Sequence, residues 1–401
     1  MKFLCVVHIM GTMDENTIYR ETVIEVKLDR IAYNVEQIRA MVGKDVKIAA
    51  VVKANGYGHG AVGIAPTIME HGGDLLCVAT LSEAIELKRA YPQYPMLIMG
   101  LTADEYLPYV LQYGILQTVD SLRQAKVLNE LAEQAGTTAG IHIKYDTGFH
   151  RIGFPDREES LREIEEISKM AGLRIEGIFS HLVLLDDESN LKQYRAFTDA
   201  IEKLRARGIE LPCCHLADSI ASVDYPEYRM DMIRAGAIIY GLKGFHKGTL
   251  DIRQALTFKT RINHITEIRA GEGVSYDFMW RAEKDTRIGT LPFGYADGFP
   301  RNLRGKALVT IRGKRVPIVG VLCMDQCMVD LGEVPEAELG DEVIIYGDGK
   351  EGTLDIQEVS QLAETNKNDI VSRLTARPPR IYTEDGKIVA VKTMLGETGR
   401  Y

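Results

Sequence analysis

The sequence predicts an α/β fold, a (β/α)8 barrel of TIM type followed by a mostly β domain, and three observations predict it. From residue 46 onward short apolar runs alternate with amphipathic stretches, the pattern of βα units feeding a parallel sheet. Eight such runs fall within roughly 200 residues, a spacing that suits a closed ring of strands. After about residue 255 the pattern changes to β-type runs joined by turns. A chain of 401 residues accommodates both parts.

Residues 22–27 alternate apolar and polar side chains ahead of a helical pattern at 28–41, a spare strand free to pair with the second domain. Barrel strands are expected at 46–53, 74–80, 95–100, 115–120, 139–146, 173–181, 210–216 and 237–242. Helices are expected at 82–91, 122–135, 158–170 and 190–207, where apolar residues recur three and four apart with charges opposite. An open α/β sheet is the alternative. A Gly-x-Gly-x-x-Gly turn after the first strand would favour it, and Gly56-Tyr57-Gly58-His59-Gly60 has a different spacing. The second domain is read from runs at 257–268, 285–290, 307–312, 315–321, 326–331 and 342–346, with Arg312-Gly313-Lys314 as a hairpin turn. The resulting limits are a tail at 1–21, a barrel at 22–255 and a β domain at 256–401.

With 45% hydrophobic and 26% charged residues, composition excludes collagenous, disordered and low-complexity classes. The 48 Lys and Arg against 57 Asp and Glu give −9, and no long basic run offers a grip on nucleic acid or an anionic membrane. Small molecules and other subunits remain as partners. No stretch nears the roughly 18 apolar residues of a membrane helix. Residues 1–10 are apolar but interrupted by His8 and lack a clean cleavage site, so no secretory signal is expected, and Met10 and Met13 are alternative starts. The cysteines at 5, 77, 213, 214, 323 and 327 have neither C-x-x-C pairing nor zinc-finger spacing, which predicts no metal site and a reducing cytoplasm.

Lys53 closes the run Ile48-Ala49-Ala50-Val51-Val52-Lys53 and so falls at the C-terminal mouth of the barrel, where active sites are built. Desolvation there lowers an amine's pKa and makes it nucleophilic toward an aldehyde. A lysine snorkelling from a strand end to water is the alternative.

The segment Ala50-Val51-Val52-Lys53-Ala54-Asn55-Gly56-Tyr57-Gly58-His59-Gly60 closely resembles the pyridoxal-phosphate attachment motif of the alanine racemase family. Further matches follow in order: Asp146-Thr147-Gly148-Phe149-His150-Arg151-Ile152-Gly153, Gly177-Ile178-Phe179-Ser180-His181, Met232-Ile233-Arg234-Ala235-Gly236, Gly273-Val274-Ser275-Tyr276, Gly294-Tyr295-Ala296-Asp297-Gly298 and Cys323-Met324-Asp325-Gln326. Together they span about 22 to 382. The resemblance implies a fold-type III pyridoxal 5'-phosphate enzyme, an amino-acid racemase working as a head-to-tail homodimer, making D-alanine for peptidoglycan.

It also implies roles. Lys53 resembles the lysine that carries the cofactor and serves as acid and base on one face of the substrate Cα. Tyr276 resembles the second base, reaching the cofactor of the other subunit. A phenol titrates near 10 and must be brought down to act, and His181, Arg234 and His215 match the family's supporting chain. Arg234 also matches the residue facing the pyridine nitrogen; a guanidinium donates a hydrogen bond without handing over a proton, which leaves the ring a weaker electron sink and favours racemisation over decarboxylation. Tyr57, Ser219, Gly236 and Ala237 sit where the family's phosphate ligands lie. Arg151, the Met324 N–H and Tyr295 match substrate-holding groups, and Lys144 matches a lysine carbamylated in many members.

Asn368 departs from the family pattern by replacing a pocket tyrosine that touches the phosphate, as in the racemase domain of vancomycin-resistance serine racemases. Asp218, Val321 and an apolar 181–187 loop also differ. Serine, or both alanine and serine, is therefore an alternative substrate. A non-catalytic carrier of the same cofactor is a further alternative, but it would leave the Tyr276 motif without purpose. A decarboxylase would need a carboxylate in place of Arg234.

Overall fold

Strands that are apolar along nearly their whole length can only be stable when covered on both faces, and the centre of this chain is made of them. The computed structural model describes residues 18–399. The opening run at 1–10 and Cys5 lie outside the described residues. The described chain begins with strand β1 (Val23–Lys27) and the helix Leu28–Val42. There follow β2 (Lys47–Val51), β3 (Leu75–Val78), β4 (Met96–Ile98), β5 (Leu116–Val119), β6 (Ala139–Asp146), a two-residue β7 (Phe154–Pro155), β8 (Leu173–Phe179), β9 (Cys214–His215) and β10 (Met232–Ala235).

These strands, β7 apart, run parallel in the order β10-β2-β3-β4-β5-β6-β8-β9. The last gap is bridged by backbone bonds from Asp231 N to Cys214 O and from Arg234 N to Ala217 O, both 3.0 Å, so the sheet curls into a near-closed (β/α)8 barrel and the open-sheet alternative falls. The outer helices start on side-chain caps: Thr80 with Glu83 for Leu81–Ala90, Ser121 for Leu122–Gln134, and Asp186 with Ser189 for Asp187–Ala206.

Several expectations are corrected. The apolar run at 237–242 is a series of turns, with Ile239 N bonded to Gly236 O and Leu242 N to Ala237 O; the eighth strand is β10. A short buried run carries no period that separates strand from turn. The seventh strand is only two residues long, and β2 ends at Val51, so Lys53 lies past the strand rather than closing it.

The chain folds as two compact units, one of Ala32–Gly56 with Ile64–Ile252, the other of the residues up to Ile31, Tyr57–Gly63 and the chain from Arg253 onward. The second unit is built on β1 with β11 (Leu256–Arg261), β12 (His264–Ile268), β13 (Gly273–Val274), β14 (Trp280–Arg281), β15 (Thr286–Leu291), β16 (Leu308–Ile311), β17 (Lys314–Val319), β18 (Cys327–Asp330), β19 (Glu342–Tyr346), β20 (Arg380–Glu384), β21 (Lys387–Thr393) and β22 (Gly396–Gly399). Its main sheet has the order β12-β15-β18-β17-β16-β19-β11-β1-β20-β21-β22, and β13 and β14 form a separate hairpin. The single run expected at 257–268 is thus two strands in different parts of the sheet. Between β16 and β17, Arg312 (φ 49°) and Gly313 (φ 76°) make a two-residue turn whose twist matches its strands. Phe258 packs edge-on against Phe293 and Tyr346, and buried Asp297 takes two bonds from Arg20, at 2.6 and 2.8 Å.

Candidate active site

Alternate residues of a strand point to the same side, so His142, Lys144 and Asp146 share one face of β6, and all three are buried. Asp146 turns the chain at the strand's end: its carboxylate accepts from the N–H groups of Gly148, Phe149 and His150 at 2.9–3.2 Å. That turn presents Arg151, whose guanidinium lies 4.4 Å from the Phe149 ring centroid, and Phe149 in turn packs on His181 at 5.0 Å. The Gln193 side chain pins the start of the next loop by accepting from Val183 N at 2.9 Å and donating to His181 O at 3.3 Å.

Arg234, on β10, is buried and organises the centre. Nη1 donates to His215 Nδ1 at 3.0 Å and to His215 O at 3.2 Å; Nη2 donates to Ser180 O and Leu216 O at 2.8 Å and to His181 Nδ1 at 3.2 Å. No partner for its Nε is found among the described residues. Burial pushes its pKa down to about 10, which leaves it charged at neutral pH. Because a guanidinium only donates, both histidines must accept on Nδ1 and carry their proton on Nε2. His215 then donates to His142 Nδ1 at 3.0 Å. Burial first, then the Arg234 charge, holds His181 down at about 3 and His215 well below its ordinary value, so both rings are neutral. Phe179 stacks on His215 at 4.8 Å, with Lys144 Nζ 5.7 Å and Arg234 Cζ 5.4 Å from its ring centroid.

Lys53 opens the turn after β2. Ala54, Asn55, Gly56, Tyr57 and Gly58 all have φ between 51° and 78°, a left-handed turn closed by Gly56 N on Val52 O at 2.7 Å. Glu83 secures it from the side by accepting from Ala54 N at 2.7 Å, while its other oxygen accepts from Ala79 N at 2.8 Å. Burial lowers the Lys53 pKa, the nearby Arg151 and Arg234 lower it further, and Glu83 opposes them. The Lys144 amine, which donates to Tyr145 O at 2.7 Å, is pushed down to about 8 by burial. At the ends of β9 and β10, Ser219 Oγ accepts from Gly236 N at 2.8 Å. The Ala237 N–H has no partner among the described residues.

In the other unit, Tyr276 sits at the tip of the β13–β14 hairpin and is 66% exposed. Met324 is 52% exposed on the segment after β17, and its carbonyl accepts from Ala296 N at 3.1 Å, beside Tyr295. Arg301 stacks on the Tyr295 ring at 5.6 Å. Asn368 is exposed at the start of the helix Lys367–Ser372, capped by Asn366. Tyr57 groups with this unit.

Residues 26–244 match the family described as alanine racemase, N-terminal domain, and residues 255–382 the alanine racemase C-terminal domain. The chain belongs to the alanine racemase family. Alanine racemase 1 of Clostridium acetobutylicum is 39% identical over 377 residues, covering 92% of this chain and 97% of that protein. The alanine racemase of Desulforamulus reducens is 40% identical over 364 residues, covering 89% and 98%. Among solved structures, the Clostridium difficile alanine racemase superposes with a TM-score of 0.91 at 34% identity, covering 94% of this chain and all (100%) of that one. The Bacillus anthracis alanine racemase with bound L-Ala-P gives 0.89 at 31%, covering 94% and 99%. The protein is accordingly an isomerase of a family that uses pyridoxal phosphate.

The residues fit that cofactor. A lysine with a depressed pKa, an uncommitted Nε–H on a buried guanidinium, and a serine hydroxyl beside an uncommitted Ala237 N–H suit an aldehyde, a pyridine nitrogen and a phosphate respectively. Within the barrel unit the structure brings together Lys53, Lys144, Arg151, His181, His215 and Arg234. His142 and Glu83 were missed in the sequence. The spacing of two among His142, Lys144 and Asp146 in an apolar strand was a signal for the first; nothing local marks the second.

Proposed function

We propose that the enzyme interconverts L- and D-alanine with pyridoxal phosphate, using Lys53 on one face of the substrate Cα and the partner subunit's Tyr276 on the other. The bound cofactor would supply an electron sink for the carbon that loses its proton. Lys53 holds and returns the proton on its own face, and a depressed pKa makes its neutral form accessible there. Arg234, charged and bonded to His181 Nδ1, polarises the His181 Nε2–H, a donor suited to a phenolate. Arg151 is a cation for the substrate carboxylate, with the Met324 N–H and Tyr295 as further contacts from the partner. Tyr57, Ser219, Gly236 and Ala237 would hold the phosphate. The product suits peptidoglycan cross-links. A homodimer sharing its active sites follows from this division of labour, and a cytoplasmic setting suits the free thiols of Cys77, Cys213, Cys214, Cys323 and Cys327.

The Lys53 amine just past β2, its pKa lowered first by burial and then by the nearby Arg151 and Arg234, carries this reading. In Lys53→Ala, visible absorption from the lysine-bound cofactor and racemisation should both vanish; wild-type turnover in that variant would refute the mechanism. Lys144, a buried amine that burial pushes down to about 8 against the opposing Asp146 carboxylate, suits carbamylation, in which its neutral nitrogen adds carbon dioxide and releases a proton, leaving an anion to orient Arg151.

Serine as a substrate is favoured by one observation, the carboxamide at Asn368 in place of a phenol. Asn368→Tyr should lower serine turnover relative to alanine by about tenfold, within the range one polar contact provides. An unaltered ratio would place specificity elsewhere.

A further inference from the structure

Ser275, the residue before Tyr276, has φ 66° and ψ −171°, a region that glycine occupies freely and other residues almost never. Asp277 (φ 59°) and Phe278 (φ 43°) follow with positive φ as well. Three non-glycine residues in one short loop need something to hold them. At the base, Val274 packs with Ile288 and Val319 and against Trp280. In the loop, the Ser275 hydroxyl donates to Val321 O at 2.8 Å, and Phe278 N bonds Ser275 O at 3.3 Å. Gly320 (φ 73°) permits this approach: a Cβ there would stand 2.7 Å from Val274 O and 2.8 Å from Ser275 Cβ. Cys323 Sγ lies 3.7 Å from the same hydroxyl.

We propose that Ser275 is a positioning residue, its hydroxyl latching the Tyr276 loop onto the segment that carries Met324 and so fixing the phenol relative to that segment. This rests on the proposed role of Tyr276. The latch acts through one bond to a backbone carbonyl, so it sets geometry without touching substrate. Tyr276 is one residue from the donor and Met324 three residues from the acceptor, so one bond keeps both groups in register. A misplacement of about 1 Å at a reacting group costs on the order of a hundredfold in rate.

Two variants separate positioning from folding. Ser275→Ala removes the donor and keeps the strained Cβ; Ser275→Gly removes the donor and relieves the strain. In the holoenzyme, thermal midpoint, racemisation, and solvent deuterium uptake at Cα of each alanine enantiomer are measured, with Tyr276→Phe as the control that identifies the tyrosine-side enantiomer. Both Ser275 variants should racemise at least about tenfold more slowly, lose deuterium uptake on the tyrosine-side enantiomer, and keep it on the other. The glycine variant should melt no lower than wild type. Wild-type turnover in both variants, uptake lost equally on both enantiomers, or a glycine variant that melts lower would overturn the latch. Should Tyr276→Phe itself racemise normally, the two-base reading fails and the latch with it; a disabled Tyr276→Phe beside unaffected Ser275 variants would refute the latch alone.

Discussion

At Arg234 the chemistry follows from what a guanidinium cannot do. It accepts no hydrogen bond, so its contacts dictate the tautomers of His181 and His215, and His215 dictates that of His142. Burial pushes His142 and His181 to about 3 and His215 far below its ordinary value. In the unfolded chain these rings titrate near 6.5. Below that pH the unfolded state binds protons that the native state refuses, so native stability falls as pH drops from about 6.5 toward 3, by about 1.4 kcal/mol per pH unit for each such histidine. Calorimetric melting between pH 7 and 5 should show this decline, and His142→Gln should remove about one third of its slope. A slope unchanged in the variant would mean that His142 is protonated in the native protein.

At the scale of elements, the turn that carries Lys53 is bent against its own preference. Left-handed backbone costs an L-residue roughly 1–2 kcal/mol, and Ala54 has φ 52° with no side-chain group to offset it. Gly58 has no such freedom to change, since a Cβ there would meet Val371 O at 2.2 Å. Ala54→Gly should therefore stabilise the protein by about 0.5–1 kcal/mol in urea melts, the relief of strain outweighing glycine's larger unfolded-state entropy. Destabilisation would show that the turn relaxes elsewhere. β6 is the opposite case: an extended strand, with no residue at positive φ, whose period of two collects His142, Lys144 and Asp146 on one side, although its register against β8 shifts between Ile141 and His142.

For the whole molecule, the exposed apolar side chains of Tyr276, Phe278, Met279 and Met324 are each more than half accessible on one unit. Such a cluster is uncommon on a surface that stays in water and suits an interface between copies of this chain. The enzyme should sediment at twice its 44.7 kDa chain mass, and Phe278→Glu should shift it toward the monomer and slow racemisation. A variant that remains dimeric and active would place the interface elsewhere. The barrel, the sheet domain and the family were legible from residue order alone, because apolar period and short motifs are carried by chain neighbours. Such motifs also singled out Lys53, Arg234 and Tyr276. The two-residue β9, the turns at 237–242 and the helices Ile356–Leu362 and Lys367–Ser372 were not legible, being too short for a period to declare itself. The remaining features arise when the chain folds. Arg234 draws acceptors from Ser180, His181, His215 and Leu216, and Glu83 reaches Ala54, partners remote along the chain that meet because the strands curl into a ring.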